Sequence, residues 1–253
     1  MTFNELDTHM RKFEQSMDQY ILPDTYVVVR LDGRSFSKFT SERFEKPFDI
    51  KFRNMMIDVV KHLMTKSGFK IIYGYTESDE ISLLFHPEDN TFDHKVRKIN
   101  TTLAGEASAV FSIKINEIVS FDCRVIPLPN IDRVLDYFVW RQKDSYRNSL
   151  NGYCYWTLID HGLSRRAATK ELDNKNNSYK HNLLYKFNIN YSNVDSWEKY
   201  GIGFYFKNVE KEGFNPKTNE TVMTIRRELV VDTEIPYDEK YKEYVKNCIK
   251  ESL

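Results

Sequence analysis

The hydrophobic positions in the N-terminal half of the chain form short runs that alternate with longer helical stripes. From Phe52 to Leu63 the apolar residues are spaced three and four apart, which predicts an amphipathic helix ending near Gly68. Short apolar runs rich in β-branched and aromatic side chains predict buried strands. These runs are Ile21 to Arg30, Phe69 to Tyr75, Ile81 to Phe85 and Phe121 to Pro127.

A second helical stripe begins at about Thr91 and completes the order β-α-β-β-α-β, which is typical of a ferredoxin-like antiparallel sheet. Its apolar side carries Val96, Ile99, Leu103, Val110 and Ile113. In that topology the first and third strands are neighbours. If they run antiparallel, Asp32 at the end of the first strand lies beside Asp79 at the start of the third.

Two aspartates that meet in this way form a candidate site for a pair of divalent ions, the arrangement used in nucleotidyl transfer. Ligand sets made only of oxygen favour magnesium. The simpler alternative is that Asp32-Gly33 is an ordinary tight turn, because glycine accepts the backbone angles that such turns need.

The flanking regions carry weaker patterns. Leu6 to Tyr20 predicts a helix that packs through Met10, Phe13 and Met17. The C-terminal region predicts a short helix, a mobile polar loop, a β-hairpin with its turn, and a final helix. The short helix is predicted at Ser164 to Leu172 and the loop at Asp173 to Asn182. The hairpin consists of Gly201 to Val209 and Thr221 to Val231, with its turn at Glu212 to Pro216, and the final helix is predicted at Tyr237 to Ile249.

The predicted fold class is therefore α+β, an antiparallel sheet with a C-terminal extension of helices and a β-hairpin packed on it. We assign residues 1–136 to a catalytic domain with its N-terminal helix, and residues 137–253 to the extension.

Composition limits the classes of function. Lys and Arg together number 37, as do Asp and Glu, so nucleic-acid binding would depend on a local basic patch. The three cysteines and six histidines lack the spacing of a disulfide framework or a zinc site. No apolar run approaches the length of a membrane span, and the first residues do not resemble a secretion signal. We expect a cytoplasmic protein, with an organelle as the open alternative.

Five separated motifs, in order, resemble the tRNA-His guanylyltransferase family and its relatives, the 3′-to-5′ polymerases. The resemblance extends over roughly residues 5 to 205. The motifs are Arg30 to Phe36, Phe44 to Asp49, Ser78 to Glu80, Trp140 to Gln142 and Phe187 to Tyr191.

This resemblance implies a polymerase-type palm that works with two Mg²⁺ ions on the 5′ end of a tRNA acceptor stem. The 3′-hydroxyl of an incoming nucleotide attacks an activated 5′-phosphate on the RNA. A 5′-monophosphate is first activated with ATP, whereas a 5′-triphosphate is used directly. The substrates implied are GTP and ATP, and the assembly implied is a homotetramer.

The resemblance also implies roles for individual residues. Asp32 and Asp79 would be the catalytic, metal-binding carboxylates, joined by the backbone carbonyl of Gly33. The turn after Asp32 would hold a triphosphate through exposed backbone N–H groups. The predicted nucleotide-binding residues are Gly33, Arg34, Ser35, Phe36, Ser37, Lys46, Asp49, Ser78, Lys95 and Lys98.

Charges around these motifs allow further assignments. For Glu80 we favour pairing with a nearby cation over a third metal-ligand role, because alternating strand residues face opposite sides. Glu77 is interpreted as a turn residue. The predicted RNA-binding residues are Arg141, Arg147, Arg165, Arg166 and Lys199.

One segment departs from the pattern of enzymes that guanylylate tRNA-His. Those enzymes carry His-Ile-x-Asn-Leu-Tyr-Asn after the Trp-Arg-Gln element, whereas this chain has Tyr146 to Gly152 as Tyr-Arg-Asn-Ser-Leu-Asn-Gly. The departure favours template-dependent repair of truncated tRNA 5′ ends, with tRNA-His guanylylation as the main alternative. Two alternative functions are disfavoured. A nucleotidyl cyclase would need a Gly-Gly-Asp-Glu-Phe-like hairpin, which this chain lacks. A non-catalytic RNA-binding protein with a palm fold would not need both aspartates, and both are present.

Overall fold

The apolar runs of the sequence form the strands of one antiparallel sheet in the order β4-β1-β3-β2-β5-β6. The structure is a computed structural model that describes residues 1–215 and 220–253, and within these ranges the sheet has six strands. They are β1 (Tyr26–Gly33), β2 (Ile71–Glu77), β3 (Glu80–Phe85), β4 (Phe121–Leu128), β5 (Ile202–Asn215) and β6 (Glu220–Asp232).

The sheet is accompanied by α-helices. They are α1 (Phe3–Gln15), α2 (Phe36–Arg43), α3 (Ile50–Lys66), α4 (Val96–Ile115), α5 (Ile131–Asp160), α6 (Arg165–Leu172), α7 (Asn177–Lys186), α8 (Ser196–Tyr200) and α9 (Glu239–Ser252). Of these, α3 and α4 pack on one face of the sheet, and α5 and α9 pack on the other. Among residues 1–215 and 220–253, no helix combines the length and the apolar character needed to cross a lipid bilayer.

Side chains that alternate along β1 separate the two apolar layers. Val27 and Val29 pack with α3 and α4 on one face, whereas Val28 packs with α5 and α9 on the other. A third apolar cluster joins the second half of α5 to α6 and α7. Helix α5 therefore links the sheet to the C-terminal helices.

The predicted neighbours β1 and β3 are adjacent and antiparallel, with Asp32 opposite Glu80. The predicted β2–β3 hairpin, the main helix of the N-terminal half and the C-terminal helix are also confirmed. Strand β5 adds to the free edge of β2, so the C-terminal hairpin extends the same sheet.

Several local predictions were wrong. Helix α2 was not predicted and begins within the predicted triphosphate-binding turn, and α7 occupies most of the predicted mobile loop. The apolar residues of α1 are exposed rather than packed, with Phe13 at 62%, and Ile113 of α4 is 80% exposed. The predicted hairpin turn from Glu212 belongs to β5 as far as Asn215, and Pro216 lies outside the described residues.

Candidate active site

The end of β1 lies against the tip of the β2–β3 hairpin. The backbone N–H of Gly33 donates to the carbonyl oxygen of Asp79 at 3.2 Å, and Asp32 pairs in register with Glu80. This is the adjacency predicted for the two aspartates. Both therefore stand at the same end of the sheet, on neighbouring strands.

A two-residue turn presents Asp79. Glu77 and Glu80 pair across the hairpin, and only Ser78 and Asp79 lie between them. Ser78 has a φ of 47°, in the left-handed region, and its hydroxyl donates to Asp79 Oδ1 at 3.1 Å. A turn this short leaves the Asp79 carboxylate little freedom relative to the strands.

The two aspartates repel each other electrostatically. Burial, together with the negative charge of Asp32, raises the pKa of Asp79 to about 6. Arg30 Nη2 lies 3.7 Å from Asp32 Oδ2, too far for a hydrogen bond. A divalent cation shared by the two carboxylates would remove this repulsion.

The donor set fits a hard cation. In residues 1–215 and 220–253 no cluster of three or more His, Cys, Asp or Glu side chains is arranged around a possible ion. Magnesium commonly uses one or two carboxylates and takes its other oxygens from substrate phosphates and water. Asp32 and Asp79, with the Gly33 carbonyl nearby, supply that kind of set.

The turn between β1 and α2 differs in part from the predicted triphosphate cradle. The N–H of Gly33 is used by Asp79, and the N–H of Arg34 donates to the carbonyl of Ser120 at 2.9 Å. Ser35 precedes α2 with a φ of 61° and gives its helix no side-chain cap. Anion binding here would therefore depend on the uncapped first turn of α2, which includes Ser37, and on the exposed Arg34 side chain.

The Phe36 side chain belongs to the core and not to a binding surface. It is 2% exposed and packs against Phe111 and Phe121. Only its backbone remains available for the predicted nucleotide contact.

A cavity of about 240 Å³ opens beside Asp79. Of the predicted nucleotide-binding residues, Lys46, Asp49 and Ser78 line it. Lys46 Nζ donates to Thr40 Oγ1 at 2.7 Å, and burial lowers the pKa of this lysine. The cavity thus combines a half-buried cation with the carboxylate-bearing turn.

Asp49 also has a structural role. Its carboxylate accepts the N–H groups of Lys51 at 2.6 Å and Phe52 at 3.1 Å, so it caps α3. It also accepts the N–H of Glu45 at 3.0 Å. These three bonds orient the carboxylate toward the protein backbone.

The cavity is also lined by residues that the sequence did not predict. Trp156 of α5 and Trp197 of α8 line it, and the Arg53 guanidinium lies 4.7 Å from the centre of the Trp197 ring. Flat aromatic faces of this kind can stack on a nucleobase. No local motif marks these residues, because they come from helices that are distant in sequence.

Lys95 and Lys98 lie away from this cavity. Lys95 precedes α4, forms a backbone bridge with Tyr20 and an ion pair of 2.8 Å with Asp18. Helix α4 extends for 20 residues, about 30 Å, toward the strand end that pairs with Gly33. The structure therefore does not bring these two lysines to the aspartates within one chain.

The predicted RNA-binding residues divide into two groups. Arg147, Arg165 and Arg166 are exposed, and Lys199 is half-buried, with its Nζ donating to the Ser192 carbonyl at 3.1 Å. Arg141 is only 2% exposed, so the predicted surface contact with RNA is wrong for this residue.

The two glutamates of the hairpin are bound to arginines. Glu80 pairs with Arg30 and Arg141, which confirms the cation pairing we favoured for it. Glu77 is buried at the end of β2 and is not a turn residue; burial raises its pKa to about 8 while the charge of Arg141 opposes this shift.

Comparisons with known proteins agree with the motifs. The family model described as "tRNAHis guanylyltransferase" matches residues 7–129, and the model of the Thg1 C terminal domain matches residues 132–248. The tRNA(His) guanylyltransferase of Debaryomyces hansenii is 34% identical over 207 residues, which cover 76% of this chain and 77% of that protein.

Solved structures show the same likeness over almost the whole chain. A bacterial tRNA(His) guanylyltransferase (Thg1)-like protein in complex with ATP has a TM-score of 0.76 and 26% identity, covering 96% of this chain and 98% of that one. The structure in complex with GTP has a TM-score of 0.72 and 26% identity, covering 97% and 99%.

The chain therefore belongs to the tRNA(His) guanylyltransferase family and is a nucleotidyltransferase that acts on tRNA. This confirms the resemblance carried by the five motifs. The cyclase and the non-catalytic alternatives are set aside.

Proposed function

We propose that this protein adds guanosine to the 5′ end of tRNA(His) by two-metal nucleotidyl transfer. The observation that carries the proposal is the bond from the Gly33 N–H to the Asp79 carbonyl, which keeps Asp32 and Asp79 at one end of the sheet. Relatives that match most of the chain are named for this reaction.

The catalytic half of the chain is proposed to be a ferredoxin-like polymerase palm. Support comes from the strand order β4-β1-β3-β2, with α3 and α4 packed together on one face. The division into residues 1–136 and 137–253 stays a prediction, and α5 runs across that boundary.

Two Mg²⁺ ions are the proposed cofactors, held by Asp32, Asp79 and the carbonyl of Gly33. When bound, they would lower the pKa of the attacking hydroxyl and neutralise charge on the leaving pyrophosphate. Burial and the charge of Asp32 together raise the pKa of Asp79, which supports this assignment, because a shared cation would stabilise both ionised carboxylates.

The chain's own groups would position the reactants. Arg34 and the first turn of α2 are suited to the phosphates of one nucleotide. Lys46 lies near the negative charge of Asp79 and could bind phosphate oxygens beside it. Trp156 and Trp197 offer aromatic faces to a base. GTP and ATP are the proposed substrates, since GTP and ATP occupy the two bacterial Thg1-like complexes.

The sequence of the segment from Tyr146 to Gly152 favoured repair of truncated tRNA 5′ ends. Proposing tRNA(His) as the substrate reverses that preference. Repair of truncated 5′ ends remains a second candidate, because this segment borders the active site. Asn148, Ser149 and Gly152 line the cavity, so their identity bears on which RNA end is accepted.

Self-association is proposed on the basis of α1. Its exposed apolar residues are spaced alternately three and four apart, the pattern of a helix seam that packs on another helix. A homotetramer is the assembly we propose from the family resemblance. The seam consists of Phe3, Leu6, Met10 and Phe13.

One experiment separates the two candidate reactions. Catalytic efficiency is measured with intact tRNA(His) lacking the extra guanosine, and with a 5′-triphosphorylated tRNA that lacks its first nucleotide. Guanylylation predicts a preference for intact tRNA(His). A preference for the truncated tRNA would contradict the proposal and support repair.

A further inference from the structure

The guanidinium of Arg141 lies inside the protein and joins three carboxylates. Nη2 donates to Glu77 Oε1 at 2.7 Å and to Glu80, and Nη1 lies 3.2 Å from Asp144 Oδ2. A buried charge is retained only with good partners, and losing one partner leaves the others uncompensated. Arg141 is therefore the centre of a buried ion network.

Two of these carboxylates flank the turn that carries Asp79. Glu77 is the last residue of β2, Glu80 is the first residue of β3, and the two are paired across the hairpin. A guanidinium that binds both glutamates therefore holds both ends of the turn.

A second arginine connects the network to the other aspartate. Arg30 of β1 pairs with Glu80 Oε1, and the same Nη2 lies 3.7 Å from Asp32 Oδ2. The network thus extends from Arg141 through Glu80 and Arg30 to Asp32. It reaches the strands of both aspartates.

We propose that Arg141 is a positioning residue for the metal site, which fixes the hairpin turn so that Asp79 faces Asp32. The inference rests on the proposed function, because it assumes that both aspartates bind the same ions. A lysine would not replace it, since only the planar guanidinium presents several donors in fixed directions to several carboxylates.

Helix α5 gives Arg141 a rigid base. Phe138, one turn earlier, is fully buried against the sheet, and Tyr137 hydrogen-bonds Ser82 of β3 at 3.2 Å. Further along the same helix, Ser145 and Ser149 line the cavity. The position of α5 thus sets both the Asp79 turn and one wall of the nucleotide cavity.

The test compares R141K and R141M with the control K143M. Lys143 lies on the same helix, is 52% exposed and pairs with Asp238 at 3.2 Å. Each full-length protein is titrated with MgCl2 in two assays. One follows the melting temperature without tRNA, and the other follows the rate of guanosine transfer.

In R141K the Mg²⁺ concentration for half-saturation should rise about 10- to 100-fold in both assays, the usual loss when a group that orients metal ligands is altered. K143M should match wild type. If R141M does not fold, E80Q serves as the second variant, because it removes the carboxylate charge that pairs with both Arg141 and Arg30; its shift should have the same direction.

A folded R141K protein with the wild-type Mg²⁺ dependence would overturn the inference, even if its melting temperature were lower at every Mg²⁺ concentration. That result would leave the proposed function intact. If wild type itself showed neither a Mg²⁺-dependent melting shift nor Mg²⁺-dependent transfer, the proposed function would fail instead.

Discussion

Gly33 lies directly against the ring of Phe36, so closely that a Cβ atom at position 33 would be 2.4 Å from Phe36 Cγ. The ring cannot easily move away, because it is buried between Phe111 and Phe121 with centroid distances of 5.2 and 5.1 Å. The chain can therefore pass from β1 into α2, directly after Asp32, only with glycine at this position.

Gly33→Ala should lower the free energy of unfolding by about 1–3 kcal/mol, as an overpacked core does. Urea denaturation measures this. The matched control is Gly105→Ala in α4, where no atom beyond the adjoining residues and the backbone of the same helix lies within 4 Å of the added Cβ. That control should stabilise the helix by about 0.5–1 kcal/mol, and equal effects of the two substitutions would contradict the packing argument.

The raised pKa of Asp79 predicts a pH-dependent stability in metal-free protein. The folded state holds the Asp79 proton up to about pH 6, whereas an unfolded aspartate loses it near pH 3.8. Stability from this group is therefore lost as pH rises between these values. Relative to wild type, Asp79→Asn should gain about 3 kcal/mol over this interval in EDTA.

The same comparison at pH 7 with Mg²⁺ supplies the control. Mg²⁺ should stabilise wild type and have little effect on Asp79→Asn, because the variant lacks one ligand. Parallel pH dependence of the two proteins in EDTA would show that burial and the charge of Asp32 do not raise the pKa of Asp79.

Asp49 offers a way to separate a helix cap from a nucleotide contact. Asp49→Ala should cost about 1 kcal/mol of stability, whereas Asp49→Asn should cost much less, because asparagine also caps helices. Thermal denaturation measures both. If Asp49→Asn retains stability but raises KM for GTP, the carboxylate has a second role in binding the nucleotide.

Lys46 should contribute charge to nucleotide binding. Lys46→Met should raise KM for the nucleoside triphosphate about tenfold, the loss of roughly one charge-assisted hydrogen bond. Lys114→Met is the matched control, because Lys114 forms an ion pair of 2.6 Å with Asp58 on the surface. Equal KM values for the two variants would remove Lys46 from the binding site.

Much of the fold was predictable from the spacing of apolar residues. The strands and the long helices bury apolar residues that recur with the period of each element. In β1, for example, Val27 and Val29 are buried on one face of the sheet and Val28 on the other, and this short apolar run is visible in the sequence. Helix α2 was missed because it is short and buries only Phe36 and Thr40. Helix α7 was missed because its sequence is polar, although Leu183 and Leu184 anchor it to α5.

The pair of aspartates was predictable, because topology alone makes the first and third strands neighbours. The ion network around Arg141 was not, since it depends on which side of α5 faces the hairpin. Lys95 and Lys98 show where assigning residue roles from a family resemblance fails. The resemblance implies that they contact the nucleotide, but they lie at the start of α4, at the opposite end of the sheet from the aspartates.

The most direct test of the account is guanosine transfer from GTP to the 5′ end of tRNA(His), measured for wild type and Asp79→Asn in Mg²⁺ and in EDTA. Wild type should require Mg²⁺. The variant should fold normally and lose about a thousandfold in rate, because several kcal/mol of transition-state stabilisation depend on the ions. Transfer by Asp79→Asn at the wild-type rate in Mg²⁺ would contradict the assigned metal site.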